Sequence, residues 1–180
     1  MACISKLASA IAYDCDTGAT GLVSALIINK ADIAGYVLDA NVKVTGLTIA
    51  GGASAYKVDT VKRSTTASTA LKINEGAPNA HTHSVTLTIM GAIGTAGYAG
   101  LLGALTNGSF VVLAKHAGAS RNCAVYGLYY GMGAVSVDRS SHDNGGWTTV
   151  TLETPENVIG EDNLYIGDAE YDTLYAAAVG

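Results

Sequence analysis

Strict alternation of apolar and polar side chains in the stretch SVTLTIM, residues 84–90, constrains the fold more than any other feature of the chain. Its aliphatic residues fall on one side of an extended chain and Thr86 and Thr88 on the other, because side chains alternate across a strand. Such a strand needs hydrogen-bonding partners at its edges and a core against its apolar face. The sequence therefore predicts a mainly β protein.

Other segments carry the same kind of signal, either period-two alternation or enrichment in β-branched residues. They are GLVSALIINKADI (21–33), NVKVTGLTI (41–49), AYKVDTVKR (55–63), SFVVLAK (109–115), CAVYGLYY (123–130) and WTTVTL (147–152). Pro155 is expected to end the last strand because proline has no N–H to donate. The glycine-rich, polar segment 131–146 is not assigned to a strand.

One helix is predicted in TAGYAGLLGALTNG, residues 95–108. Tyr98, Leu101, Leu102 and Leu105 share a helical face by their spacing of three and four residues. The Asn-Gly pair at its end is a typical stop signal. Internal glycines weaken an isolated helix, so packing against a sheet is expected to hold this one.

A long hairpin is predicted from residues 55–63 and 69–73, with the small polar stretch STTAS between its arms. Its charged residues fall on both faces, so neither face is expected to be buried within one subunit. This two-faced arm is the candidate contact with an adjacent subunit or ring. The residues assigned to that contact are Tyr56, Lys57, Val58, Asp59, Val61, Lys62, Arg63, Leu71 and Ile73.

Charge content bears on the partners of the protein. Charged residues make up only 14% of the chain and apolar residues 49%, so much of the surface is expected to be covered by copies of the same chain. A net charge of -5 without a Lys/Arg run argues against tight binding to nucleic acid. No run approaches the length of a transmembrane helix, so no membrane partner is expected.

Residues with catalytic or metal-binding chemistry do not form a convincing site in the sequence. Cys3, Cys15 and Cys123 follow no metal or disulfide spacing and are expected to be free thiols. His81 and His83 lack a nearby cysteine or carboxylate at ligand spacing, so no metal is predicted. A small β-rich hydrolase using His142 with a carboxylate is the competing enzyme hypothesis, but consecutive loop residues cannot form a triad by themselves. The sequence therefore predicts a protein that is not an enzyme and has no cofactor.

The order of these pieces resembles the tail tube (major tail) proteins of tailed bacteriophages. The resemblance covers residues 13–157 and rests on a DC dipeptide, the strand 21–33, the hairpin within 46–76, the strand–helix–strand block 83–115 and the closing NGGWTTVTLETPEN. It lies in the order and spacing of these elements, since no single motif among them is diagnostic.

The resemblance implies a β-sandwich or split barrel with one packed helix, which joins by six into a ring. Stacked rings form a tube whose lumen is a continuous β-barrel through which the genome passes without specific binding. The implied location is the virion tail, assembled in the host cytoplasm together with other tail or connector proteins. On this basis residues 1–157 are assigned to the β domain. Residues 158–180 are acidic and Tyr-bearing with no strong period, so they are expected to form a C-terminal arm or docking tail. A head-to-tail connector, a capsid decoration protein and a receptor-binding module are the alternatives.

Overall fold

The fold is described from a computed structural model. The structure describes residues 21–58, 60, 65–89, 95–117, 122–139 and 147–180. Several residues singled out in the sequence lie outside these ranges, so their predicted roles stay predictions. They are Cys3, Cys15, Asp59, Val61, Lys62, Arg63 and His142.

Eleven strands and two α-helices form within the described residues, and a short 3-10 turn at Lys30–Asp32 follows the first strand. The strands are β1 (Leu22–Asn29), β2 (Ile33–Leu38), β3 (Lys43–Ile49), β4 (Tyr56–Val58), β5 (Thr65–Lys72), β6 (Ala80–Ile89), β7 (Phe110–His116), β8 (Asn122–Tyr126), β9 (Gly133–Arg139), β10 (Thr148–Glu153) and β11 (Leu164–Gly167). The helices are α1 (Ala96–Asn107) and α2 (Asp168–Ala177). The prediction of a mainly β protein with a packed helix is confirmed, with α2 as a second helix.

The strands form two sheets. The larger has seven strands in the order β2-β3-β11-β8-β7-β1-β4 and curls into a half barrel. The smaller has four strands in the order β5-β6-β10-β9. Neighbouring strands are antiparallel except β3 and β11, which run parallel.

One hydrophobic core lies between the two sheets. Val85 and Leu87 of β6 and Val150 and Leu152 of β10 pack there against the seven-stranded sheet, and Leu105 of α1 joins them. The register pairs Leu87 with Val150 and Val85 with Leu152, which is the apolar face that the alternation predicts. Helix α1 begins at Thr95, whose side chain accepts the N–H of Tyr98.

A second core fills the concave side of the seven-stranded sheet. Val111 and Leu113 of β7 point into it, while Val112 of the same strand points into the first core, so this central strand is buried on both faces. Helix α2 covers the second core with Tyr171, which is fully buried and donates from its hydroxyl to Ser24 Oγ at 2.8 Å. A strand buried on both faces explains the nearly continuous apolar run FVVLA.

The boundary expected after residue 157 does not correspond to a boundary of the fold. Strand β11 lies inside the seven-stranded sheet, between β3 and β8, and α2 covers the core. Residues 158–180 are therefore part of the folded unit and not an arm. The parallel pairing of β11 with β3, a strand far earlier in the chain, cannot be inferred from local sequence.

The predicted hairpin is also wrong in its pairing. Strand β4 pairs with β1 in the seven-stranded sheet, whereas β5 pairs with β6 in the four-stranded sheet. The two arms thus belong to different sheets, and the chain between them crosses from one to the other. The segment 131–146 departs from expectation too, because its first half forms β9 against β10.

Candidate assembly surfaces

The described members of the predicted subunit contact are divided between two sheet edges. Tyr56, Lys57 and Val58 form β4, at one edge of the seven-stranded sheet. Leu71 lies in β5, at one edge of the four-stranded sheet, and Ile73 follows the end of that strand. The structure does not bring these two groups together as one arm.

The edge at β4 is covered by the chain itself. The N–H of Lys57 donates to the carbonyl of Val179 at 2.8 Å, and the N–H of Val179 donates to the carbonyl of Ala55 at 2.9 Å. These bonds place residue 179 beside Tyr56 as a parallel bridge. The outward N–H of Lys57 and the carbonyl of Ala55 are thus already bonded within the subunit.

The edge at β5 is different. Among the described residues β5 pairs with β6 alone, through an eight-residue register from Thr65 to Lys72. Leu71 and Ile73 are 63% and 76% exposed, the highest values among the large apolar residues described. Leu71 pairs with His81 and so lies on the core-facing side of the sheet, where it projects beyond the core. An edge strand that has no outer strand partner within the described ranges, and that carries projecting apolar residues, is a candidate site for another strand.

The opposite edge of the same sheet has matching properties. Within the described ranges β9 pairs with β10 alone, and helix α1 lies nearby. Val137 pairs with Val150, so it also lies on the core-facing side, yet it is 42% exposed because it projects past the core. Val135 of the same strand is exposed as well. Both edges of the four-stranded sheet thus carry apolar residues on the face that would continue the core.

The outward side of the four-stranded sheet is covered by small hydroxyl side chains, and we call it the hydroxyl face. Its members alternate with the core residues and oppose one another across the strands, as in the pairs Thr86–Thr151 and Thr88–Thr149. Asp138 and Glu153 add negative charge to it. The hydroxyl members are Thr66, Ser68, Thr82, Ser84, Thr86, Thr88, Ser136, Thr149 and Thr151. The register also places Lys72 on this side, at the end of β5, where its ammonium group donates to the carbonyls of Glu156 and Val158. The rest of this face, within the described strands, carries no cation that could bind a phosphate group.

An apolar cleft of about 700 Å³ opens between the two sheets beside β4 and β5. Tyr56, Leu101 and Phe110 contribute apolar walls, and Val179 closes one side. Lys57 and Asn29 are among the few polar residues in its lining. The cleft adjoins the ends of segments outside the described residues, and it contains no pair of groups arranged for acid–base chemistry.

A buried polar cluster joins the two sheets at another place. Glu161 and His83 are each 1% exposed, and Glu161 Oε2 lies 3.9 Å from His83 Nδ1. The other oxygen of Glu161, Oε1, accepts the N–H groups of Tyr129 and Tyr130 at 3.1 and 2.9 Å. Burial raises the pKa of Glu161, although these N–H donors oppose the shift. Burial, together with the nearby His81, lowers the pKa of His83 to about 4.

Cys123 does not have the environment of a reactive thiol. It is fully buried on the concave side of the seven-stranded sheet, and its Sγ lies 3.8 Å from Asp168 Oδ1. Burial and the neighbouring carboxylate raise its pKa to about 12, which disfavours the thiolate. Lys115 bonds the same carboxylate at 2.6 Å and the more exposed Asp172 at 3.1 Å.

Two general findings concern the described part of the chain. No group of three or more His, Cys, Asp or Glu residues is arranged there to hold a metal ion. None of its helices has the length and apolar character needed to cross a membrane.

Comparison with known proteins identifies no relative. No family model matches the chain, and neither the curated proteins nor the solved structures contain a match to it.

Sequence reasoning missed β9 and Glu161. The alternation of Val135 and Val137 in GAVSV was a usable period-two signal, although flanking glycines and polar residues masked it. Glu161 had no local signal, because the residues it contacts come from distant parts of the chain. His81 and His83 were noticed as a pair, but their carboxylate partner lies beyond β10.

Proposed function

We propose that this protein is a structural subunit of a bacteriophage tail tube, which assembles into stacked, hexameric rings. The observation that carries the proposal is the four-stranded sheet, whose two edge strands β5 and β9 have no outer strand partner among the described residues and expose apolar side chains. Joining β5 of one copy to β9 of the next would continue both the hydrogen-bonded ladder and the core beneath it. The order of sequence elements supports the same function.

Such a joint uses different surfaces on the two partners. A contact of this kind is heterologous. It forms a closed ring when the rotation from one copy to the next, repeated around the axis, returns to the first copy. In a closed ring the four-stranded sheets would form one barrel, which removes the unpaired edges that make a monomer prone to aggregation.

The hydroxyl face suits the lumen of this barrel. Because the opposite side of the sheet packs on the core, the hydroxyl face is the side that can point toward the tube axis. Threonine and serine keep it hydrated, while Asp138 and Glu153 repel a phosphate backbone. DNA would pass along such a wall without being held. In this proposal the protein has no catalytic role, no cofactor and no membrane partner, and it resides in the virion tail with other tail or connector proteins.

Negative-stain electron microscopy of the purified protein, combined with light scattering over a concentration series, tests the proposal. We expect rings or tubes whose mass grows with concentration. A protein that stays monomeric at every concentration, also when tail or connector proteins are added, would contradict it. Small closed oligomers without tubes would favour a decoration or receptor-binding module instead.

A further inference from the structure

The buried cluster around Glu161 connects three parts of the fold. Residue 161 forms a two-sided backbone pair with His81 of β6, with N–H to O distances of 2.8 and 2.9 Å. Its side chain binds the turn after β8 through Tyr129 and Tyr130. The segment leading to it is tied to β6 at Thr154, which exchanges bonds with the backbone of His83. Strand β6 belongs to one sheet and β8 to the other, so this carboxyl group lies at the junction between the sheets.

Within the described ranges, the four buried side-chain atoms that have no hydrogen-bond partner all belong to this cluster. They are Nδ1 of His81, Nδ1 and Nε2 of His83 and Oε2 of Glu161. A buried ionised carboxylate with one oxygen unpaired is costly, whereas a protonated carboxyl can donate to a neighbouring acceptor. Nδ1 of His83 lies 3.9 Å from Oε2 and can accept when the neutral ring carries its proton on Nε2.

The other charged and titratable groups around Glu161 make their hydrogen bonds and ring contacts with groups other than its Oε2 atom. Lys30 donates to the carbonyl of Leu128 at 2.6 Å, and Asp162 accepts from the hydroxyl of Tyr129 at 3.3 Å. His81 Nε2 lies 3.2 Å from the side-chain nitrogen of Asn163. On the far side, the ring of Tyr126 meets the His83 ring edge-on, and the hydroxyl of Tyr126 lies 3.0 Å from Nε2 of His116. The positive charge of Lys30 favours an ionised Glu161, but its ammonium group bonds a carbonyl and not the carboxylate.

We propose that Glu161 carries a proton on Oε2 in the folded protein near neutral pH and shares it with Nδ1 of a neutral His83, which forms a proton-dependent latch between the two sheets. A small shift from 3.9 Å brings this pair to hydrogen-bond distance. Loss of the proton leaves a buried negative charge, so the segment around Glu161 and the turn at Tyr129 separate more readily from β6. The latch is independent of whether the protein assembles into rings.

The direction of the pH effect follows from proton linkage. The pKa of Glu161 is raised in the folded state, so its stabilising contribution is present below the ordinary pKa of about 4.5 and is lost as pH rises through the folded value. The pKa of His83 is lowered, so its contribution is present above about 6.5 and is lost as pH falls toward 4. Stability should therefore decline on both the acid and the alkaline side, each through a different residue.

Glu161→Gln is the central variant because glutamine has the shape of a protonated glutamate, keeps an oxygen acceptor for Tyr129 and Tyr130, and cannot lose its proton. We expect wild-type protein at about pH 6, between the ordinary Glu and His values, to show a protonated-carboxyl infrared band that is absent from the variant. The wild-type unfolding constant in urea should rise by up to about tenfold per pH unit on the alkaline side. The variant should lose this rise and keep the decline toward acid pH.

Glu161→Ala provides the comparison, because it removes the acceptor and should be destabilised at every pH. The proposal is wrong if wild type and Glu161→Gln have the same infrared spectrum in the carboxylic-acid region. It is also wrong if Glu161→Gln unfolds about as easily as Glu161→Ala at pH 6, since the carboxylate would then be the form that the fold requires. If Glu161→Gln does not fold, a wild-type spectrum at pH 6 that has no carboxylic-acid band still contradicts the proposal.

Discussion

The two sheet edges that the sequence places in one hairpin differ in what they leave available. At β4 the chain bonds to itself, because Val179 occupies the outer side of Lys57 through main-chain hydrogen bonds. At β5 no described strand lies on the outer side, and Leu71 projects beyond the core. An apolar side chain on an edge strand thus indicates an assembly site only where the adjacent main chain is also unpaired.

The same difference separates the part of the molecule that stabilises the subunit from the part that is proposed to form contacts between subunits. The covered edge at β4 belongs to the sheet that holds most of the buried residues and α2, so it contributes to the stability of the subunit. The four-stranded sheet has one face on the core and, in the part of the chain that the structure describes, no outer strand at either edge, so it is the part proposed to form contacts between subunits. Variants at the two edges should therefore change different measurements.

The largest effect is expected from charging the β5 edge. In the double variant Leu71→Lys, Ile73→Lys, two exposed apolar side chains become cations, which oppose burial against a neighbouring strand. Association should weaken by roughly a hundredfold or more, because burying uncompensated charge in an interface costs several kcal/mol. Sedimentation velocity should show monomer where wild type forms large assemblies.

Tyr56→Lys is the matched control, since Tyr56 is also a half-exposed apolar residue on an edge strand. Because the edge at β4 is already covered, this variant should assemble like wild type. The folded subunit should survive in both proteins, with the free energy of unfolding changed by about 0.5 kcal/mol or less at exposed positions. Equal loss of assembly in the two variants would mean that the edges do not differ in the way the structure suggests.

The next effect concerns helix α2, which precedes residue 179 in the chain. Tyr171→Ala removes a fully buried ring from the second core and should lower the free energy of unfolding by about 3 to 5 kcal/mol. Tyr171→Phe keeps the ring and loses only the bond to Ser24, so about 1 kcal/mol is expected. Urea denaturation measures both. If Tyr171→Ala unfolds like wild type, the C-terminal residues form a separate arm after all.

Local sequence was sufficient where an element has a clear period or a continuous apolar run. Strand β6, the apolar run of β7 and helix α1 were all predicted close to their observed limits, because alternation, continuous burial and the Asn-Gly stop leave distinct patterns. Their packing together also followed, since each pattern exposes one apolar face that must be covered.

The pairing of strands that lie far apart in the sequence could not be predicted from local patterns. β11 contributes only four residues and pairs parallel to β3, so its place in the sheet depends on contacts that no local window contains. The hairpin prediction for residues 55–73 was wrong for a related reason. Two alternating strands joined by a short polar stretch have the pattern of a hairpin, and the local sequence does not show that they belong to different sheets. Glu161 and His83 come together only in the complete fold, because they lie far apart in the sequence.

The smallest effect should come from uncovering the edge at β4. Val179→Pro removes the N–H that donates to Ala55, while the preceding residue already has the extended backbone that a proline requires. The lost bond should lower the free energy of unfolding by about 1 kcal/mol, and the amide of Lys57 should exchange with solvent faster because its acceptor is held less firmly. Val179→Ala keeps the main-chain bonds and removes a half-exposed side chain, so the exchange rate at Lys57 should stay near that of wild type. Hydrogen exchange that accelerates equally in both variants would show that the valine side chain covers this edge, and exchange unchanged in Val179→Pro would show that the edge is not covered by residue 179.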